Sequence, residues 1–146
     1  MRKTKVLVLA AVLCFCLFSA AARTASAYIE VKKHPIDIAH EKKIDDAPWT
    51  SGVIEANEWA IEEWDKLLNK NYNALMSKLD KKNQELLRAS QREWIKFRDL
   101  EFKFNEDYWA GFGGTMYIPF PSGFQSGFIR ERALRLGYYL EDLNMK

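Results

Sequence analysis

The stretch WDKLLNKNYNALMSKL, residues 64–79, decides the fold. Its apolar members Trp64, Leu67, Leu68, Tyr72, Leu75 and Leu79 recur three or four residues apart. That spacing keeps one face of an α-helix turned toward a core. Followed upstream, the stripe takes in Ile54, while Glu55, Glu58, Glu62, Lys66 and Lys70 fall on the opposite face. Thr50 or Ser51 is a suitable N-cap, so the spacing predicts a helix opening there. Downstream, residues 80–83 are polar for about a turn, but no Gly or Pro forces a break. The chain either turns back at this point or continues as one long helix.

A second amphipathic segment covers about residues 83–109 with the stripe Leu87, Gln91, Trp94, Arg98 and Phe102. The alternation of threes and fours is that of helices packed in bundles. Gly111, Gly113 and Gly114 end this helix, and Pro119 and Pro121 delay the next. A third helix is predicted from near Ser122 to near Leu143, burying Phe128, Ile129, Ala133, Leu136 and Leu140. Three helices with short connections imply an all-α fold, a small antiparallel three-helix bundle over residues 51–146. Residues 28–50 are polar, hold Pro35, Pro48 and the pair Asp45-Asp46, and show little periodicity. They read as an extended N-terminal arm.

Residues 1–27 have the pattern of a removable signal peptide. Arg2, Lys3 and Lys5 precede an apolar run over residues 6–18, and Ala25-Ser26-Ala27 forms a cleavage site. The run is shorter than the roughly 20 residues a membrane-spanning helix needs, so no lasting membrane anchor is expected after cleavage. Neither Cys14 nor Cys16 follows the small residue of a lipid-attachment site, and both leave with the signal, so the mature domain is free of cysteine. An exported domain of this size must then rely on its core alone, which a helical chain of more than a hundred residues can supply. The sequence thus predicts export to the periplasm or the extracellular space. Loss of the four basic residues Arg2, Lys3, Lys5 and Arg23 turns the whole-chain charge of +2 into −2. The remaining basic residues alternate with acids along the helices, so no basic stripe for nucleic acid is present.

Four polar residues fall on or beside the predicted core faces: Asp65, Gln91, Arg98 and Arg132. Charges placed there are normally paired, and an ion pair between Asp65 and Arg98 would fix the register of the first two helices. No catalytic residue is identified. Carboxylate pairs such as Glu62 and Glu63 lie on solvated faces, and no thiol survives to act as a nucleophile. His34 and His40 sit in the arm with a spacing that matches no familiar metal motif, so neither a metal nor a cofactor is expected.

The loop GFGGTMYIPFPSG, residues 111–123, interleaves aromatic residues with glycines and prolines. Apolar residues on a loop need a reason. Two readings stand side by side. In one, Met116, Tyr117, Ile118 and Phe120 fold back to close the end of the bundle. In the other, Phe112, Tyr117 and Phe120 stand out as anchors for a protein partner.

Several of these residues also carry a family resemblance. Trp64-Asp65, Leu68-Asn69 and Tyr72 give W-D-x-x-L-N-x-x-Y, and Gln91-Arg92, Trp94 and Arg98-Asp99 give Q-R-x-W-x-x-x-R-D. With Gly113-Gly114-Thr115 and Arg132-Ala133-Leu134, the pattern resembles the LprI-like lysozyme inhibitor family over about residues 64–140. The resemblance implies a helical domain outside the cytoplasmic membrane that binds lysozyme and blocks peptidoglycan hydrolysis. Members of that family often carry cysteines where this chain has Phe102 and Phe124, so an aromatic contact is expected in place of a bridge. The expected activity is therefore binding of a protein partner rather than catalysis, with lysozyme as the partner the family implies. The alternative is an envelope scaffold or stress protein with a different partner and no affinity for lysozyme.

Overall fold

A computed structural model of the chain describes residues 33–145, and the signal-peptide expectation for residues 1–27 lies outside that range. Four α-helices account for most of the described residues: α1 (Pro35–Asp45), α2 (Thr50–Lys78), α3 (Lys81–Ala110) and α4 (Phe120–Asn144). A short 3₁₀ turn, Thr115–Tyr117, lies between the last two. The all-helical expectation holds, but the architecture has four helices instead of three.

The additional helix lies in the segment expected to be an extended arm, and its ends explain it. Pro35 occupies the first turn, where its missing N–H breaks no bond and its fixed φ suits a helix. His34 caps the start, its Nδ1 accepting from Ile36 N at 3.2 Å. Asp37 in the first turn and Lys42 and Lys43 in the last complement the helix dipole. No residue of α1 is fully buried. Its apolar stripe is therefore sparse, and periodicity gave little signal of a helix.

Residues 79–80 separate α2 from α3, which excludes the single long helix. Leu79 is extended, and the Asp80 side chain caps α3 by accepting from Asn83 N at 2.8 Å. Gln84 then ties the turn, its Nε2 donating to the carbonyls of Met76 and Leu79 at 2.8 Å each. At the other connection Gly114 has φ +109°, a left-handed conformation that glycine adopts without strain. Pro121 does not delay α4; it sits within its first turn.

The core lies between α2 and α4. Ala60, Trp64, Leu68 and Leu75 from one helix meet Ile129, Ala133 and Leu136 from the other. Ala60, Ala133 and Leu136 are fully buried, and the two alanines allow the backbones to approach. Hydrogen bonds from Asn57 to Ser122 and from Asn71 to the Ala133 carbonyl, with Lys78 to Asn144, show that α2 and α4 run parallel. Helix α3 runs back along α4: Arg132 reaches Gln91 near its start and Gln125 reaches Glu106 near its end. Helix α1 lies against α2, where the His34 ring packs on Trp64 with centroids 4.7 Å apart. None of the described helices is long and apolar enough to cross a membrane.

Candidate functional site

The distal end of α3, the glycine loop and the start of α4 bring five aromatic rings together. Tyr108 and Trp109 occupy the last turn of α3, and Phe112 follows the helix end by one more step of four from Tyr108. The Trp109 ring is the hub. Its centroid lies 5.2 Å from Tyr108 and from Phe112, 5.8 Å from Tyr117 and 4.7 Å from Phe120. Tyr117 stacks on it nearly parallel and Phe120 meets it edge-on, both favourable arrangements. The 3₁₀ turn and the left-handed Gly114 bring Tyr117 back over the helix end.

One side of this cluster faces solvent. Phe112 and Phe120 each keep 40% of their surface, and their neighbours Met116 and Ile118 are more exposed still. A shallow cavity of about 300 Å³ opens among Glu106, Trp109, Phe112, Tyr117 and Ile118. Phe112, Tyr117 and Phe120 pack on Trp109, Tyr117 half-buried and the other two exposed, while Met116 and Ile118 do not fold back against the bundle. Trp109 was not singled out from the sequence. The sequence places it only at the end of the second helical segment, outside the stripe Leu87, Gln91, Trp94, Arg98 and Phe102.

The four polar residues assigned to the core divide. Gln91 and Arg132 meet: Arg132 Nε donates to Gln91 Oε1 at 3.0 Å, and its Nη2 donates to Ser90 Oγ at 3.3 Å. Burial pushes the Arg132 guanidinium below its ordinary pKa. Asp65 and Arg98 do not meet, which corrects the expected ion pair. Asp65 accepts from Asn69 Nδ2 at 2.8 Å one turn along its own helix, and Arg98 pairs with the adjacent Asp99 at 2.7 Å. A short carboxylate finds a local donor more readily than one across a helix interface. The Arg98 and Arg132 guanidiniums instead both lie against the Trp94 ring, at 5.5 and 5.7 Å from its centroid. Phe102 and Phe124 contact each other edge to face at 6.5 Å, and both reach Phe128.

Two groups missed from the sequence organise the region behind the tip. Asn57 is 5% exposed; its Oδ1 lies 2.9 Å from His40 Nε2, and its Nδ2 donates to Ser122 Oγ and the Pro119 carbonyl. It thereby joins α1, α2 and the entry to α4. Arg130 holds α1 through a two-pronged contact with Asp37 at 2.7 and 2.8 Å while lying 5.5 Å from the Trp64 ring. The Arg130 guanidinium lowers the Asp37 pKa from its ordinary value through that hydrogen bond. Both histidines are engaged in structure, His34 as a cap and His40 on Asn57. Among the described residues, no three His, Cys, Asp or Glu side chains converge as metal ligands.

Comparison with known proteins gives a family and a fold. The profile described as "Lysozyme inhibitor LprI" matches residues 46–136, which takes in α2, α3, the aromatic tip and the first two-thirds of α4. A crystal structure of an uncharacterized protein from Burkholderia thailandensis superposes with a TM-score of 0.71 at 24% identity. The alignment covers 77% of this chain and 57% of that one, so this chain spans little more than half of that protein's length. That likeness establishes the fold alone. No curated protein matches the chain in sequence. With more than half of its residues matched by the family profile, the chain belongs to the LprI lysozyme inhibitor family.

Proposed function

We propose that this protein is an exported binding protein that docks on lysozyme and blocks peptidoglycan hydrolysis, with the aromatic tip as its contact surface. The family match over residues 46–136 carries the reading, and the tip lies wholly within it. Phe112, Tyr117 and Phe120 are the anchors: rigid rings held on Trp109, partly exposed and ready to be covered by a partner. Such preorganised aromatics lose little conformational freedom on binding. The −2 charge expected after signal removal contributes modest attraction toward a cationic enzyme. Asp65, Gln91, Arg98 and Arg132 serve the fold, not the contact. The family's inhibitors act by binding, so obstruction is the mode of action this reading assigns to the tip.

The test is clearing of a peptidoglycan suspension by lysozyme, with the purified protein titrated to clear excess at two salt concentrations. Stoichiometric inhibition is expected, with the Tyr117→Ala, Phe120→Ala double variant weaker by about tenfold or more. Thermal midpoints of the two proteins should remain close. Undiminished clearing at both salt concentrations would remove lysozyme as the partner.

A further inference from the structure

Among the described residues, helix α3 carries a second apolar face that is largely uncovered, with Phe97 touching Phe128 at one end and Tyr108 touching the tip rings at the other. Phe97, Leu100, Phe104 and Tyr108 follow one another by three, four and four residues, so they share one side of the helix. They are 53, 70, 64 and 49% exposed. The face bearing Gln91, Trp94, Arg98 and Phe102 lies about a third of a turn away and packs toward α4. Scattered exposed apolar residues are ordinary, but a straight row of four large ones is a docking face.

We propose that α3 pairs with α3 of a second copy of this chain, antiparallel, about a two-fold axis level with Phe102. The row is self-complementary in that register. Phe97 comes opposite Tyr108 of the second copy, and Leu100 comes opposite Phe104 of the second copy, each contact occurring twice as two-fold symmetry requires. The charges beside the row agree with the same register. Lys96 and Asp107 lie on one flank of it, and a two-fold antiparallel pair sets like flanks together. The crossing that aligns the rings therefore also brings Lys96 level with Asp107 of the second copy, twice. Among the described residues Lys96 pairs with Glu93, at 2.9 Å and with both side chains 70% exposed, a contact readily exchanged. Asp107 is exposed and makes no ion pair among the described residues. A parallel pair would set Phe97 against Phe97 and leave Asp107 without a cation. The antiparallel pair also places the two aromatic tips at opposite ends, so each gives Tyr108 to the pair and keeps Phe112, Tyr117 and Phe120 for its own partner.

The row from Phe97 to Tyr108 spans about 16 Å, the length of a small interface, so the dimer is a weak one. Sedimentation velocity of the purified protein should show a monomer at low micromolar concentration and a two-fold increase in mass between about 10 µM and 1 mM. Leu100→Glu should remain monomeric across that range, with unchanged circular dichroism and undiminished inhibition in the lysozyme assay. Lys96→Glu should weaken the dimer about tenfold, and adding Asp107→Lys should restore it. A wild-type protein that stays monomeric to about 1 mM overturns the proposal. So does a double charge reversal no better than the single one, or a Leu100→Glu variant that loses inhibition because lysozyme itself occupies the row.

Discussion

Helix α4 is packed on two sides, and the two seams are built from different chemistry. Toward α2 it presents Ile129, Ala133 and Leu136, which close on Ala60, Trp64, Leu68 and Leu75 with almost no residual exposure. Toward α3 it presents Phe124, Phe128 and Arg132, which meet Trp94, Phe97, Phe102 and Gln91 through rings and a guanidinium. Gln91 alone is buried on α3. Small residues let the first pair of helices approach closely, so aliphatic side chains interdigitate and exclude water. The second seam is propped apart by large flat groups whose outer faces stay wet. The difference assigns stability mainly to α2 and α4. It leaves α3 free to carry exposed apolar surface at its tip and along its outer face.

Two tryptophans give the sharpest way to break this comparison. Trp64→Ala should cost about 3–5 kcal/mol, since the ring is 1% exposed and touches the His34 ring and the Arg130 guanidinium as well as the aliphatic core. Trp94→Ala should cost well under that, because its partners Phe128, Arg98 and Arg132 can relax toward solvent. Urea denaturation of both variants measures the ratio. Equal losses would mean that the two seams share the load and that α3 is no appendage.

The next effect concerns the polar contact within the second seam. Gln91→Leu removes the acceptor of Arg132 Nε while leaving the guanidinium partly buried, and should cost about 1–3 kcal/mol. Adding Arg132→Met removes the stranded charge and should recover most of the loss, as apolar replacement of a buried polar pair commonly does. If the double variant is no better than the single one, the pair contributes through the stacking of Arg132 on Trp94 rather than through the hydrogen bond.

The sequence was most legible where burial repeats with helical period. Trp64, Leu68 and Leu75, with Ile129, Ala133 and Leu136, were all read as core from spacing and are all buried. The aromatic loop was noticed because rings among glycines and prolines are unusual, yet Trp109, on which those rings gather, was hidden within a helical pattern. Helix α1 escaped because its ends, not its stripe, define it: Pro35 looked like a breaker and is an N-terminal residue. The Asp65–Arg98 pair failed for a geometrical reason. Helical spacing ranks which residues lie near a face, but it does not say whether a side chain at the edge turns inward or bonds along its own helix, as Asp65 does with Asn69. Asn57 had no periodic signature at all, since its role depends on His40, Pro119 and Ser122, distant in the chain.

The smallest effect lies at the attachment of α1. Asp37 grips Arg130 with both oxygens, but the Arg130 side chain is 38% exposed, so solvent screens the pair and its contribution should be under about 1 kcal/mol. Its pH dependence nevertheless has a definite sign. Hydrogen bonding to Arg130 holds the Asp37 carboxyl below its ordinary value, so the contact stabilises the fold above the unfolded-state pKa and is lost as pH falls through the folded-state value. Asp37→Asn should therefore be slightly less stable than the wild type at pH 7, with urea midpoints converging below about pH 4. Protonation also removes the favourable charge in the first turn of α1, which acts in the same direction. A gap that persists at pH 2.5 would show that the carboxylate's shape, not its charge, holds α1 on the bundle.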